Sequence, residues 1–334
     1  MKIGIVGAGA VGSYIGGLLA ASGADVSLVA RGSHLQAIRQ QGLRLVDRKA
    51  GFQQIVQPRQ ATEDIAALSD TDWVLVTLKA HSLRSIAPQL SLLQQAGIPL
   101  VLIQNGIPWW YFYGLRGQWA NHQLHSVDPE GGIAAHLDPA QIIGGVVYVA
   151  AALTRPGEVT YGGLGRLILG SIGIPQPTAR LERLDQLVES LKLAQLNPTL
   201  SPAIRTDIWV KLWGNAALNP LSVLTGVEQD RLCHFPPTRE LIRQMMQETR
   251  SVALQLGVEL PSDIEARLNA AGQVKGHRTS MLQDFEQGRP LEVESILGSV
   301  IELGQLVGIP TPHLDSIYAP VKFVDPGRSQ SGIP

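Results

Sequence analysis

With 27 basic against 28 acidic side chains in 334 residues, the chain has no charge surplus with which to hold nucleic acid or an anionic membrane surface. A hydrophobic fraction of 45% excludes a disordered chain, and the length accommodates two domains with separate cores. Cys233 is the only cysteine, so an internal disulfide is excluded and a reducing cytoplasm is expected, while the eight histidines show no metal-ligand spacing.

The first predicted elements are a strand at Ile3 to Val6, a turn Gly7-Ala8-Gly9-Ala10-Val11-Gly12, a helix over Ser13 to Ala21 and a second strand at Val26 to Ala30. In this order Gly7 permits the sharp turn, Gly9 lets the backbone approach a pyrophosphate, and Gly12 lets the helix pack on the first strand. The helix start adds unpaired N–H groups for the anion. An early Lys2 before a mostly apolar stretch also suits a signal peptide or anchor, but the recurring glycines, Ser13, Ser22 and the second strand fit a dinucleotide loop better. Where an NAD-preferring protein places an acid, this chain has Ala30-Arg31. A guanidinium there predicts NADPH, because it can grip a 2′-phosphate; a solvated surface arginine is the plain alternative.

A helix is expected over Ser33 to Gln41 with Ser33 as N-cap, followed by a hairpin of Leu43 to Asp47 and Phe52 to Gln57. The apolar runs Trp73 to Leu78 and Leu100 to Gln104 read as parallel strands buried on both faces. Lys79 and Asn105 follow their carboxyl ends, where open α/β sheets bind ligands, although Asn105-Gly106 is also an ordinary turn. Trp109 to Tyr113 concentrates aromatic residues that could wall a pocket or form a local core cluster. Further strands are expected at Gly145 to Leu153 and Val159 to Ile172, then a helix over about Pro177 to Ala194. Leu196 to Pro202 suits a connector between a first domain, 1–200, and a helical second domain, 201–324. The polar segment 325–334 is expected to fray.

In the second domain, Asp207 to Leu224 is apolar almost all round except for Lys211, Asn215 and Asn219, spaced i, i+4, i+8 and so on one helix face. Asn is a poor helix former, so this face reads as a hydrogen-bonding wall rather than a solvated stripe. Pro220 should kink or end the helix. A desolvated lysine can give a proton near neutral pH, as protonation of an alkoxide after hydride addition to a ketone requires. Ser280 and Gln283 fit a capping box, and a new helix is expected to begin with Glu292 and Glu294 in its first turn.

The chain resembles the ketopantoate reductases (2-dehydropantoate 2-reductases) over nearly its whole length. The resemblance rests on IGIVGAGAVGSYIG, LKAHS at Lys79, IQNG at Asn105, IWVKLWGNAALNPLSVLTG around Lys211, and TSMLQDFEQGRPLEVESILG. It implies a Rossmann-like domain followed by an all-α domain that often dimerises, with NADPH/NADP as cofactor in pantothenate biosynthesis. By resemblance, Lys211 is the proton donor, Asn215, Asn219 and Ser280 bind the substrate, and Glu292 meets cofactor or substrate at the reacting centre. Gly7, Ala8, Gly9, Ala10, Val11, Gly12, Arg31, Lys79, Asn105 and Ala151 would contact the cofactor, and Asn105 would also face the substrate. The segment between Asn105 and Gly131 is longer than in most members of the family. That leaves open a paralogue acting on a bulkier 2-oxo acid, and, from another class, an NADPH-binding sensor without turnover.

Overall fold

The computed structural model describes residues 1–173 and 177–328. They form two compact units: Met1–Gln104, Trp110–Gln123 and Gly131–Ile204 in the first; Asn105–Trp109, Leu124–Glu130 and Arg205 onward in the second.

The first unit opens with β1 (Lys2–Val6), α1 (Ala10–Ala21), β2 (Asp25–Val29) and α2 (Gly32–Gln41). The hairpin β3 (Leu43–Asp47) and β4 (Phe52–Val56) and the short β5 (Gln60–Thr62) follow. Next come β6 (Trp73–Val76), α3 (Leu83–Gln95), β7 (Leu100–Ile103) and β8 (Ile142–Tyr148), then β9 (Ala151–Arg155), β10 (Glu158–Tyr161) and β11 (Arg166–Ser171). The helix α4 (Thr178–Leu193) and β12 (Pro198–Leu200) complete it. The main sheet has the order β12-β11-β8-β7-β6-β1-β2-β5. From β5 to β8 it is parallel throughout, with β1 central and the order reversing beside it, the arrangement that leaves a ligand crevice outside the carboxyl end of the first strand.

A second sheet, β4-β3-β10-β9, joins the early hairpin to a later one. Helix α1 packs against both sheets, and two consecutive glycines make this possible. A side chain at Gly16 would strike Leu28 and Ile5 of the main sheet; one at Gly17 would strike Leu45 and Leu43 of the small sheet. The hairpin is therefore half of a second layer over the glycine-loop helix.

Several expectations are corrected. Arg31, in extended conformation, takes the N-cap position of α2 without a side-chain cap hydrogen bond, and Ser33 lies inside the first turn because the helix opens at Gly32. The run Gly145 to Leu153 divides into β8 and β9, and Val159 to Ile172 into β10 and β11, because each half pairs in a different sheet. Leu196 to Pro202 is more than a connector: Pro198–Leu200 pairs in parallel with β11 as an edge strand, a position that tolerates proline.

The second unit carries α5 (Ile204–Thr225), α6 (Gln229–His234), α7 (Pro236–Gln255), α8 (Ile264–Gly272), α9 (Ser280–Glu286), α10 (Ser299–Val307) and α11 (Pro312–Val324). α5 continues through Pro220 to Thr225 without ending there. It is anchored by buried Trp209 and Trp213, whose indole N–H donates to the Met246 carbonyl of α7 at 2.8 Å. Glu248 of α7 accepts from the backbone N–H groups of His313 and Leu314, capping α11. Thr279, one residue before the expected capping box, is the N-cap of α9, and its hydroxyl accepts from Leu282 N–H. Glu292 precedes the next helix instead of opening it, and that helix starts with a π-helical turn, Glu294–Gly298. Within the expected frayed segment, Asp325 is held, its carboxylate accepting from Leu291 N–H at 2.9 Å; residues 329–334 lie outside the described residues.

Candidate functional site

The first unit presents the glycine loop at the carboxyl end of β1. Gly7 has φ +99°, and a side chain there would meet Leu78, while one at Gly12 would strike the Gly7 carbonyl and Thr77 Oγ1. Gly9 is different: a Cβ there would have no atom within 4 Å. The close approaches at Gly7 and Gly12 are internal packing, and the open side of the loop is at Gly9. Gly7 and Ala8 N–H both donate to Val29 O, and Thr77 Oγ1 donates to Gly7 O at 2.7 Å, so the loop is fixed by both neighbouring strands. No side chain caps α1, whose first turn follows with Ala10, Val11 and Gly12. A rigid loop, an uncapped helix start and open space at one glycine fit a dinucleotide pyrophosphate.

In the same unit, Arg31 is exposed just beyond β2. Lys79 stands just beyond β6, and Ala151 opens β9, registered opposite Tyr161. Trp110, Tyr111 and Phe112 are buried there, with Tyr111 and Phe112 in edge-to-face contact, as a core cluster would be, and Trp109 is buried in the second unit.

In the second unit, three of the predicted residues meet. Lys211 Nζ donates to Asn105 Oδ1 at 2.7 Å, and Asn105 Nδ2 donates to Glu292 Oε2 at 2.9 Å. An asparagine suits this position because its amide accepts from a cation on one side and donates to a carboxylate on the other. Desolvation pushes the Lys211 ammonium down to about 8, and the charge of Glu292 opposes the shift without cancelling it.

Backbone geometry holds Asn105 in place. Gly106 has φ +81°, and a Cβ on it would fall on the Ser295 carbonyl group. The same carbonyl accepts from Ile107 N–H at 2.9 Å and from Ser299 Oγ at 2.7 Å. Ser295 lies in the π-helical turn just after Glu292, so one turn supports both ends of the Asn105–Glu292 bond. Sequence reading treats Gly106 only as half of an Asn-Gly turn; the positive φ was legible there, the contact with Ser295 was not.

Asn219 is buried, and its Nδ2 has no hydrogen-bond partner among the described residues. Asn215, one turn earlier on α5, is half-buried. Ser280 is exposed in the first turn of α9, and its neighbour Thr279 shares a 2.6 Å hydrogen bond with Ser222, three residues beyond Asn219. Among the described residues there is no cluster of histidine, cysteine and acidic side chains that could hold a metal ion, and no helix long and apolar enough to cross a membrane.

The family pattern described as Ketopantoate reductase PanE/ApbA matches residues 3–173, and its C-terminal counterpart matches residues 203–325. A 2-dehydropantoate 2-reductase of Mesorhizobium japonicum is 41% identical over 96% of this chain and 97% of its own. One of Nostoc sp. is 31% identical over 99% of this chain and 97% of its own. The crystal structure of 2-dehydropantoate 2-reductase from Methylococcus capsulatus superposes with a TM-score of 0.76 at 30% identity, covering 100% of both chains. Two family patterns that together span both units, and relatives aligned from end to end, show that the chain belongs to the ketopantoate reductase family of nicotinamide-dependent oxidoreductases.

Proposed function

We propose that the protein reduces a 2-keto acid with NADPH, with ketopantoate (2-dehydropantoate) as substrate and pantoate as product. The observation that carries this reading is the hydrogen-bonded series from half-buried Lys211 through half-buried Asn105 to buried Glu292, with the Lys211 ammonium pushed down to about 8. The names of the aligned relatives support the choice of substrate.

When bound, the reduced nicotinamide supplies the hydride for the carbonyl carbon of the keto acid. The chain's own residues do the rest. The glycine loop and the start of α1 would hold the pyrophosphate, and Arg31 the 2′-phosphate. Asn219 Nδ2, a buried donor lacking an acceptor, is suited to a substrate oxygen, as is Asn215 beside it. Ser280 would bind the carboxylate. As the carbonyl oxygen gains charge, Lys211 gives it a proton and is left neutral, the state its buried setting favours. Asn105 aims the amine by accepting one of its N–H bonds, and Glu292 fixes the orientation of the Asn105 amide.

The test is oxidation of NADPH with ketopantoate and with a panel of other 2-keto acids, bulky and aromatic ones included. Ketopantoate should give the highest kcat/KM. A larger acid outperforming it would replace the substrate but keep the reaction, whereas tight NADPH binding with no turnover of any acid would point to a sensor.

A further inference from the structure

The glycine loop is tied to the small sheet by hydrogen bonds whose directions can all be assigned. Gly157 N–H, in the turn between β9 and β10, points at His34 Nδ1 at 2.9 Å. A backbone N–H can only donate, so Nδ1 carries no proton and the neutral ring bears its hydrogen on Nε2. Nε2 lies 3.0 Å from Ser13 Oγ, which is therefore the acceptor there. The Ser13 hydroxyl in turn donates to the carbonyl of Ala8, inside the loop, at 3.0 Å. The packing around the turn is close: Gly157 has φ +74°, and a Cβ on it would press on Ala37 of α2.

We propose that neutral His34 is a positioning residue for the dinucleotide, fixing the Ala8 carbonyl and the first turn of α1 through Ser13. The inference rests on the reading that the Gly7 to Gly12 loop holds the cofactor. A protonated ring would set a second N–H against that of Gly157 and break the tether at that end. Burial already lowers the pKa of His34 from its ordinary value, so the intact tether is the state at neutral pH. The charged groups of the surrounding elements are few. α1 has only Tyr14 as an ionisable residue, and α2 adds Arg39, which donates to Ala61 O, with Arg31 at its N-cap position. The hairpin has Arg155 and Glu158, paired with each other, with Arg44 of β3 beside Glu158.

The test is NADPH affinity by fluorescence titration between about pH 5.5 and 8 for the wild type, His34→Ala and His34→Gln. At neutral pH, H34A should bind NADPH about 10-fold more weakly, with kcat at saturating cofactor within about twofold of wild type. H34Q keeps a donor for Ser13 and cannot titrate, so it should recover part of the affinity; it also carries the comparison if H34A folds poorly. The 2′-phosphate titrates in every sample, so the difference between the profiles reports His34. The wild type should lose affinity toward acid pH more steeply than H34Q. Parallel profiles, or H34A binding as tightly as wild type, would overturn the proposal, and so would a wild type that binds neither NADPH nor NADH. Because binding is read without turnover, the expected pattern in a protein that reduces no 2-keto acid would sink the reaction assignment and leave this inference standing.

Discussion

Asn105 donates from Nδ2 to Glu292 Oε2 across 2.9 Å, although 187 positions separate the two residues in the chain. The other end of the same amide receives Lys211, so one neutral side chain stands between a cation and an anion in a part-buried setting. Direct contact would stabilise the ammonium form more strongly and make it a poorer acid. The spacer keeps the lysine able to release its proton.

Replacing the spacer tests this. Asn105→Asp places a carboxylate against Lys211, favours its charged form and should move the basic limb of the kcat profile to higher pH. Asn105→Ala leaves both partners short of a hydrogen bond and should lower kcat by about 10²-fold. A profile unchanged in Asn105→Asp would mean that Lys211 is not the group titrating.

Lys211 itself should trade stability for function. Its ammonium is pushed from 10.5 down to about 8, so below about pH 8 the folded protein carries the whole cost of a buried charge. That cost falls as pH rises between the two values, because the unfolded chain is then still protonated and the folded chain is not. Lys211→Met should therefore be more stable by ~2–3 kcal/mol at neutral pH, with a gain that shrinks above about pH 8. The same variant should lose ~10²–10⁴ in kcat while binding NADPH almost normally. Chemical denaturation across pH and steady-state kinetics check the two halves.

Gly9 and Gly12, neighbours in the same loop motif, should separate under mutation. Gly9→Ala adds a methyl where nothing lies within 4 Å, so its melting temperature should match wild type while NADPH affinity falls by ~10-fold or more. Gly12→Ala drives a methyl into the Gly7 carbonyl and should lower the melting temperature as well. Calorimetry paired with a binding titration distinguishes them, and equal melting losses in both would contradict the open-loop reading.

Arg31→Ala should weaken NADPH by ~10-fold or more and leave NADH affinity nearly unchanged. Equal losses toward both cofactors would mean that this exposed guanidinium does not read the 2′-phosphate.

The central strands were legible because β1, β6 and β7 are continuous apolar runs, and β1 ends at a glycine pattern with a specific turn. The Lys211, Asn215 and Asn219 face was legible because helical spacing is local. The second sheet was not, since β10 pairs with β3 more than a hundred residues earlier, a choice that no local pattern encodes. The Thr279 cap was missed by one position because Thr and Ser are both competent caps, and adjacent frames read alike in sequence. The contact between Asn105 and Glu292 was visible only as two separate resemblances; the structure shows that they share a hydrogen bond.

The π-helical turn Glu294–Gly298 amounts to one residue more than an α-helix would use for the same advance. Removing a single residue from that turn would wind it back to α and rotate the preceding chain by roughly 100° about the helix axis. Glu292 would swing away from Asn105, and the Ser295 carbonyl would no longer be presented to Ile107. A one-residue deletion here should therefore abolish turnover more completely than most substitutions, although it removes no reacting group. Register along this helix, as much as the identity of its side chains, sets the contacts of Glu292 with Asn105 and of Ser295 with Ile107.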